Sequence, residues 1–309
     1  MVTRREVLQS LALCGWSGLS GLAGTSSAVE TRTEAAASIK YGYAAITWGN
    51  AIAQAIDDIS ALGYRGIQLR AGDGTLDQFG DKPSALRDML AQKHLTMAVF
   101  SSGNLVIDPA REREQLDLHT AHARFLKAAG GLYLQVIDER PKGRDVGRDD
   151  YRRVGQLLTE LGKRVQDAGV TLVYHHHMNS VGEKPHEIAA VLDAADRRHV
   201  RLLFDTAHYA QGGGDPAAAI RQYREWIAVL HLKDVRSAPG ASGGAGGYQF
   251  VELGRGRVDL KAVFAALGDI GYEGWAIVEL DRVPEAGGTP KESAEINRRY
   301  LVDVLGQDV

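Results

Sequence analysis

The sequence predicts a single-domain α/β protein folded as a closed (β/α)8 barrel. From about residue 40 onwards, short β-rich runs alternate with longer stretches of helical periodicity, and eight such pairs occupy roughly 270 residues. No internal change of composition marks a second domain. A doubly wound open sheet is the alternative for such alternation. Its dinucleotide-binding form is not favoured, because no Gly-x-Gly-x-x-Gly motif follows the first strand.

The segment before the barrel predicts an export signal followed by a polar tether. Arg4 and Arg5 precede a moderately apolar stretch at residues 11–23, and small residues at 26–28 offer a cleavage site. This pattern resembles a twin-arginine signal. We expect an exported, periplasmic protein without a stable membrane anchor, since glycines interrupt the short apolar stretch. A cytosolic N-terminus with a chance Arg-Arg pair is the alternative. The expected boundaries are a signal peptide at 1–28, a tether at 29–39 and the barrel at 40–309.

Eight segments have the composition of buried strands, bounded by Gly, Asp or Asn. They are residues 41–47, 66–70, 96–100, 132–137, 171–175, 201–205, 228–232 and 275–280. Helical periodicity occupies the stretches between them. In the seventh stretch, Leu260, Val263 and Leu267 fall on one helix face. The predicted helices lie near residues 50–62, 82–93, 109–129, 149–168, 184–195, 214–226, 258–269 and 292–305.

Charge, cysteine content and glycine motifs exclude several classes of protein. The chain has 36 Lys+Arg against 39 Asp+Glu and a formal net charge of −3, so no nucleic-acid partner is expected. The single cysteine, Cys14, allows neither an internal disulfide nor a thiolate zinc cluster. The glycines at 212–214 lack the Lys-Ser/Thr of a phosphate-binding P-loop. We therefore expect an unphosphorylated substrate.

Reactive side chains cluster where the predicted strands end, which is where barrel enzymes carry their sites. Asp205 and Glu279 follow apolar runs, and a buried carboxylate in such a place needs a partner or a cation. His175 and His231, from the fifth and seventh strands, complete a set of four nitrogen and oxygen ligands. Such a set suits one divalent metal ion, with Mn²⁺ or Co²⁺ favoured and Mg²⁺ or Zn²⁺ as alternatives.

Each of these residue types also has a purely structural explanation. Asp205 or Asp281 is also suited to be a helix N-cap. An isolated histidine is more often a hydrogen-bonded core residue than a metal ligand. His119 and His122, inside the third predicted helix, are interpreted in that way as packing or surface residues.

Four motifs occur in order along the chain: Trp48-Gly49-Asn50, Tyr174 to Met178, His231 to Arg236, and Gly271 to Trp275. Together they resemble the xylose-isomerase-like TIM-barrel superfamily, also called the sugar phosphate isomerase/epimerase group, over residues 40–305. Within that group the pattern is most similar to the inosose (2-keto-myo-inositol) dehydratases.

The resemblance implies one divalent metal ion held by His175, Asp205, His231 and Glu279. Many members have a glutamate at the fifth-strand position and use it as one of two bases in an epimerisation. This chain has His175 there, which shifts the expectation towards elimination. Gln68 stands where relatives commonly have glutamate.

The expected chemistry starts with polarisation of a substrate carbonyl by the metal, followed by removal of the adjacent proton through an enolate. His177 and His208 are the candidate bases because imidazole titrates near neutral pH. Glu279 is a third candidate, and Lys233 would offset the negative charge. Loss of a β-substituent gives a lyase or dehydratase of the inosose or 3-keto-glycoside type. Reprotonation gives a sugar isomerase or epimerase, and a non-catalytic sugar-binding barrel is a further alternative.

Several residues are expected to contact the substrate or close over it. Asn50 and Arg236 could hold hydroxyl groups, and Trp48 and Tyr248 are candidates either for stacking on a sugar or for core packing. The glycine-rich segment 237–247 is expected to be a lid or merely a flexible linker. Relatives with long C-terminal helices often dimerise, so a homodimer is expected by analogy.

Overall fold

Eight parallel strands close into a barrel in the computed structural model, which describes residues 39–238, 247–284 and 288–309. The predicted signal peptide, most of the tether and residues 239–246 of the glycine-rich segment lie outside the described residues. The barrel strands are β1 (Lys40–Ala44), β2 (Gly66–Arg70), β3 (Thr96–Leu105), β4 (Tyr133–Asp138), β5 (Thr171–His175), β6 (Val200–Asp205), β7 (Ile227–Leu232) and β10 (Trp275–Val278). Around the barrel they follow the order β1-β10-β7-β6-β5-β4-β3-β2.

Helices follow the strands and cover the outside of the barrel. They are α1 (Ile52–Ala61), α2 (Thr75–Phe79), α3 (Pro83–Gln92), α4 (Glu112–Ala128), α5 (Arg148–Asp167), α6 (Pro185–Asp193), α7 (Thr206–Gln211), α8 (Pro216–Gln222), α9 (Leu260–Asp269) and α10 (Pro290–Arg299). Each predicted helix has a counterpart among them. The short helices α2 and α7 were not predicted, and the last predicted helix ends in a π-turn at Tyr300–Val304.

Strand alternation separates an inner core from an outer one. A compact group inside the barrel includes Val173, Leu203, Val229 and Ile277, while the larger group lies between the strands and the helices. Trp275 fills the lower part of the barrel, where a Cβ on Gly66 would lie 2.3 Å from its ring. Only glycine therefore fits at this point of β2 without displacing the indole.

A two-stranded hairpin interrupts the alternation after β7. Strands β8 (Asp234–Ser237) and β9 (Tyr248–Val251) pair antiparallel, and the glycine-rich segment connects them. Asp234 is buried and accepts four main-chain N–H bonds, from residues 235, 254, 256 and 258. Its carboxylate therefore ties the base of the hairpin to the chain that leads into α9.

Within residues 39–238, 247–284 and 288–309, none of the helices combines the length and apolar character that crossing a membrane requires.

Candidate metal centre and active site

The four predicted metal ligands come together at one end of the barrel. His175, Asp205, His231 and Glu279 belong to β5, β6, β7 and the residue after β10, which are neighbours in the sheet order. Each lies two residues beyond an inward-facing apolar side chain of the inner core. Because alternate strand residues share a face, all four side chains enter the barrel interior at its carboxyl end, and all four are buried.

Asp205 uses its two carboxylate oxygens for different purposes. Its Oδ1 accepts the main-chain N–H groups of Ala207 and His208, each at 2.8 Å, and so caps the N-terminus of α7. Its Oδ2 is buried and has no hydrogen-bond partner among the described residues. The N-cap explanation thus accounts for one oxygen and leaves the other facing the interior of the site.

Gln68 fixes the orientation of His231. Nε2 of His231 lies 2.8 Å from Oε1 of Gln68, while Nε2 of Gln68 donates to Glu279 Oε2 at 3.2 Å and to Gln135 Oε1 at 3.0 Å. Because a carboxylate only accepts, the Gln68 nitrogen must be the donor and its oxygen must accept from His231. His231 therefore carries a proton on Nε2, and in the neutral ring its Nδ1 presents a lone pair.

Two unpartnered atoms, Nδ1 of His231 and Oδ2 of Asp205, face each other here in the way that a bound cation requires. Nδ1 of His231 lies 3.4 Å from Asp205 Oδ2 and 3.6 Å from Glu279 Oε1. In the part of the chain that the structure describes, His231 Nδ1, His175 Nδ1 and Asp205 Oδ2 are all buried without a hydrogen-bond partner. Buried polar atoms are costly when unpaired. The donor set therefore fits a divalent metal ion bound by imidazole nitrogen and carboxylate oxygen.

The charge states favour metal binding as well. Burial lowers the pKa of His175 well below its usual value. Burial raises the pKa of Glu279, but the positive charge of Lys233 offsets this, and the pKa of Glu279 lies below its usual value. The site therefore holds an unprotonated imidazole and an ionised carboxylate, which are the forms that bind metals.

His208 is a second candidate for the ligand set. Ligand atoms of His175, Asp205, His208 and Glu279 all lie within 4.8 Å of one another, as do those of His175, His177 and His208. The sequence predicted His208 as a base, and the structure thus places it within reach of both roles.

His177 and His208 lie side by side next to this set. Their ring centroids are 3.8 Å apart, and the His177 ring also packs edge-on against His175, with centroids 5.5 Å apart. His177 is half-buried, whereas His208 is buried. Both candidate bases are therefore beside the predicted metal position, and His177 is the more accessible of the two.

Lys233 is buried within a set of charges and an aromatic ring. Its Nζ donates to Glu279 Oε1 at 2.8 Å and to Asp281 Oδ1 at 2.5 Å. It also lies 4.1 Å from the ring centroid of Phe250 on β9. Burial alone would lower the pKa of Lys233, but Asp281 and Glu279 raise it above its ordinary value. Lys233 is therefore a fixed ammonium, and Asp281 is its partner rather than the N-cap of a helix.

The predicted substrate-binding residues lie in different surroundings. Trp48 is packed edge-on against Tyr43, and its indole N–H donates to Asp58. These contacts favour the alternative in which Trp48 is a core residue. Asn50 is exposed after β1, and Arg236 is exposed on β8, where its guanidinium donates to Gln249 across the hairpin. Their binding roles stay predictions.

Some residues near the site were not predicted from the sequence. His176, which faces away from the site, accepts the main-chain N–H of Asp205 and so steadies the end of β6. Gln135 and Phe250 were missed, although the inward register of β4 could have indicated Gln135. His119 and His122 both contact the hydroxyl of Ser102, away from this cluster, and His119 is fully buried. The packing interpretation of these two histidines agrees with this placement.

Comparison with known proteins places the barrel among related chains. The inosose dehydratase of Lacticaseibacillus casei is 29% identical over 298 residues, covering 85% of this chain and 96% of that protein. The inosose dehydratase of Clostridium perfringens is 28% identical over 298 residues, with 85% and 96% covered. A crystal structure of the IolI protein with a bound zinc atom has a TM-score of 0.73 at 20% identity, covering 87% of this chain and 98% of that one.

A second solved structure has the same fold. It is the probable 3-DHS dehydratase AsbF of Bacillus anthracis, with a TM-score of 0.71 at 17% identity, covering 85% of this chain and 99% of that one. The family described as a xylose isomerase-like TIM barrel matches residues 56–302. That match spans most of the chain, and the chain therefore belongs to the xylose isomerase-like TIM-barrel family.

Proposed function

We propose that this protein is a divalent-metal-dependent dehydratase that acts on keto-polyols of the inosose type. The observation that carries the proposal is the 3.4 Å approach of two buried, unpartnered atoms, Nδ1 of His231 and Oδ2 of Asp205, next to His175 and the accessible imidazole of His177. Relatives of 28% and 29% identity that match nearly their whole length are inosose dehydratases, which supports this substrate class.

The residues of the site fit the first half of such a reaction. A divalent cation, when bound, would supply Lewis-acid polarisation of a substrate carbonyl. His177 stands at the open side of the site and is placed to take the proton from the carbon next to that carbonyl. Lys233 holds a permanent positive charge 2.8 Å from Glu279 Oε1 and stabilises negative charge that develops nearby.

The fifth-strand residue favours elimination over epimerisation. An epimerase that works with two carboxylate bases needs a second carboxylate on β5, and this chain has His175 there. With one accessible base, loss of a β-hydroxyl completes the reaction without a second proton transfer from the opposite face. Isomerisation is the second candidate, because it shares the same first proton transfer and differs only in the product.

For the metal we propose Mn²⁺ or Co²⁺, with Zn²⁺ and Mg²⁺ as the alternatives. Two imidazoles and two carboxylates form a mixed set, which borderline first-row cations accept more readily than a purely oxygen-binding ion does. Metal analysis of protein purified without added metal, followed by reloading of chelated protein with each ion, tests this choice.

The function is tested by following product formation by NMR with 2-keto-myo-inositol, 3-keto-glucose and its glycosides, fructose and tagatose. Metal-dependent loss of water from 2-keto-myo-inositol supports the proposal. Conversion of fructose or tagatose into an isomer would replace it with the second candidate. Binding of these sugars without any turnover would indicate a non-catalytic barrel.

We also propose that the chain is exported by the twin-arginine route, on the sequence pattern at Arg4 and Arg5. Substitution of both arginines by lysine should abolish processing and leave the protein in the cytoplasm. Equal periplasmic amounts of the wild type and this variant would contradict the proposal.

A further inference from the structure

The main chain of Met178 forms hydrogen bonds with both His177 and His208, and it accepts from one ring and donates to the other. Nδ1 of His177 lies 2.7 Å from the carbonyl oxygen of Met178. The main-chain N–H of Met178 donates to Nδ1 of His208 at 3.3 Å. A carbonyl oxygen can only accept a hydrogen bond and a peptide N–H can only donate one. These two contacts therefore specify which nitrogen of each ring carries the proton.

The contact at His177 places its proton on Nδ1. Only a protonated Nδ1 can donate to the Met178 carbonyl, so in the neutral ring the lone pair is on Nε2. Of the two imidazoles His177 is also the more exposed. Its basic nitrogen is therefore the one that points away from the main chain.

The contact at His208 has the reverse effect, although two donors compete for this ring. Lys233 Nζ lies 3.4 Å from Nε2 of His208, and a neutral imidazole has only one lone pair on nitrogen. Lys233 already donates to Glu279 and Asp281 and also lies over the Phe250 ring. Met178 is buried, and its main-chain N–H has a fixed direction and needs an acceptor. The lone pair of His208 is therefore on Nδ1 and its proton is on Nε2.

We infer that the hydrogen bonds to the main chain of Met178 give the imidazoles of His177 and His208 different roles in the reaction. His177 is the base, through Nε2, and His208 is a neutral hydrogen-bond donor to a substrate oxygen, through its Nε2–H. The same tautomer removes His208 from the ligand set, because Nδ1 is engaged and Nε2 is protonated. His231, with its free Nδ1, remains as the imidazole ligand on β7.

This inference rests on the proposed function, since it assigns steps of that dehydration. His177 Nε2 takes the proton from the carbon next to the carbonyl, and the electron pair of that C–H bond becomes the new C=C bond. The C–O bond to the β-hydroxyl breaks, and the hydroxyl leaves as water with the proton that His177 held. His208 gives up no proton, because losing its only one would leave an imidazolate; a neutral imidazole acts instead by hydrogen bonding.

The tautomers are read directly by long-range ¹H–¹⁵N NMR of the metal-free protein and of the diamagnetic zinc-loaded protein. The ring signals of the two residues are identified by their loss in His177→Gln and His208→Gln. We expect the proton on Nδ1 of His177 and on Nε2 of His208. A proton on Nδ1 of His208 would overturn it, whether or not any substrate is turned over.

Deuterium exchange at the carbon next to the carbonyl separates the two roles. His177→Gln should lower exchange by about 10²- to 10⁴-fold, the usual effect of losing a general base. His208→Gln keeps a donor and should stay within about tenfold of the wild type, while His208→Phe should fall by about 10²- to 10³-fold. His208→Gln as inactive as His208→Phe would contradict the donor role.

His186, exposed on α6, provides the matched control, and His186→Gln should behave as the wild type in both experiments. Metal content and thermal unfolding of every variant show whether each remains folded and loaded. If no keto-polyol undergoes exchange in the wild type, the proposed function fails, while the NMR reading still decides the tautomers. Failure of the proposed function can therefore be distinguished from failure of the tautomer assignment.

Discussion

Nδ1 of His231 and Oδ2 of Asp205 face each other across 3.4 Å with no hydrogen bond between them. The reason is that Gln68 already holds the only proton of His231 on the other side of the ring. Two buried lone pairs at this separation repel each other unless a cation lies between or beside them. This relationship, more than the residue types alone, indicates a metal centre.

The unpartnered oxygen of Asp205 provides the first prediction. Asp205→Asn should keep the N-cap of α7, because asparagine caps helices as well as aspartate does, but it removes the anionic ligand. We expect metal binding to weaken by more than about 100-fold, since even the loss of an outer hydrogen-bond partner costs about 10- to 100-fold. Metal titration of chelated protein measures this.

Asp215 is the matched control because it caps α8 through the N–H groups of Ala217 and Ala218. Asp215→Asn should bind metal as the wild type does. Unchanged affinity in Asp205→Asn would remove Asp205 from the ligand set.

Gln68 provides a second prediction, since it orients one ligand and donates to another. Gln68→Leu frees the His231 ring and leaves Glu279 Oε2 without this donor, so metal affinity should fall by about 10- to 100-fold with little change in fold. Gln78, which donates to the carbonyl of Asn50 at the surface, is the control, and Gln78→Leu should leave affinity unchanged. Equal affinities in the two variants would show that Gln68 does not position the ligands.

Lys233 provides a third prediction, on stability. Lys233→Met leaves Glu279 as a buried charge without its ammonium partner, which should cost about 3–5 kcal/mol in the metal-free protein. Added metal should restore part of this loss, because a bound cation neutralises the same carboxylate. Urea unfolding with and without metal measures both effects.

Lys291→Met is the control for this experiment. Lys291 pairs with Asp58 at 3.1 Å, but its side chain is 50% exposed, so its loss should cost no more than about 1 kcal/mol. A similar cost for the two lysine variants would contradict the assignment of Lys233 as the partner of a buried charge.

A fourth prediction concerns pH and lies outside the site. Arg144 forms a two-pronged ion pair with Asp150, at 2.7 and 2.6 Å, and holds the pKa of that carboxyl below its usual range. The folded-state pKa therefore lies below the unfolded value of about 3.9. The stabilisation is present above about pH 4 and is lost as the pH falls through the folded-state pKa.

Arg144→Gln should accordingly destabilise the protein at pH 7 by no more than about 1 kcal/mol, since the arginine is half-exposed. The difference from the wild type should shrink towards pH 3, as measured by urea unfolding at both pH values. Arg113→Gln, at a more exposed pair with Asp117, should have a smaller effect. A difference that grows towards acid would show that the sign of this pKa shift is wrong.

The sequence predicted the strands well because each is a short apolar run that ends in polar residues. The sequence also predicted that His175, Asp205, His231 and Glu279 lie at one end of the barrel, since neighbouring parallel strands end at the same edge. The alternation rule applied to β2 and β4 would also have placed Gln68 and Gln135 inside the barrel, because both are polar residues in inward register.

Other features depend on tertiary contacts that no local pattern records. The hairpin of β8 and β9 is split by a glycine-rich segment, and it brings Phe250 over Lys233 from 17 positions away in the chain. The helix α7 has only six residues and begins directly after Asp205, so periodicity could not identify it. The tautomers of His177 and His208 depend on the path of the chain at Met178.

The central claim is metal-dependent removal of a proton next to a substrate carbonyl. The most direct test is deuterium uptake from D₂O into 2-keto-myo-inositol, read by NMR with Mn²⁺ or Co²⁺ present and again after chelation. We predict uptake that requires the metal and is accompanied by loss of water. Uptake that persists unchanged after chelation, or no uptake into this or any other keto-sugar of the panel, would contradict the account.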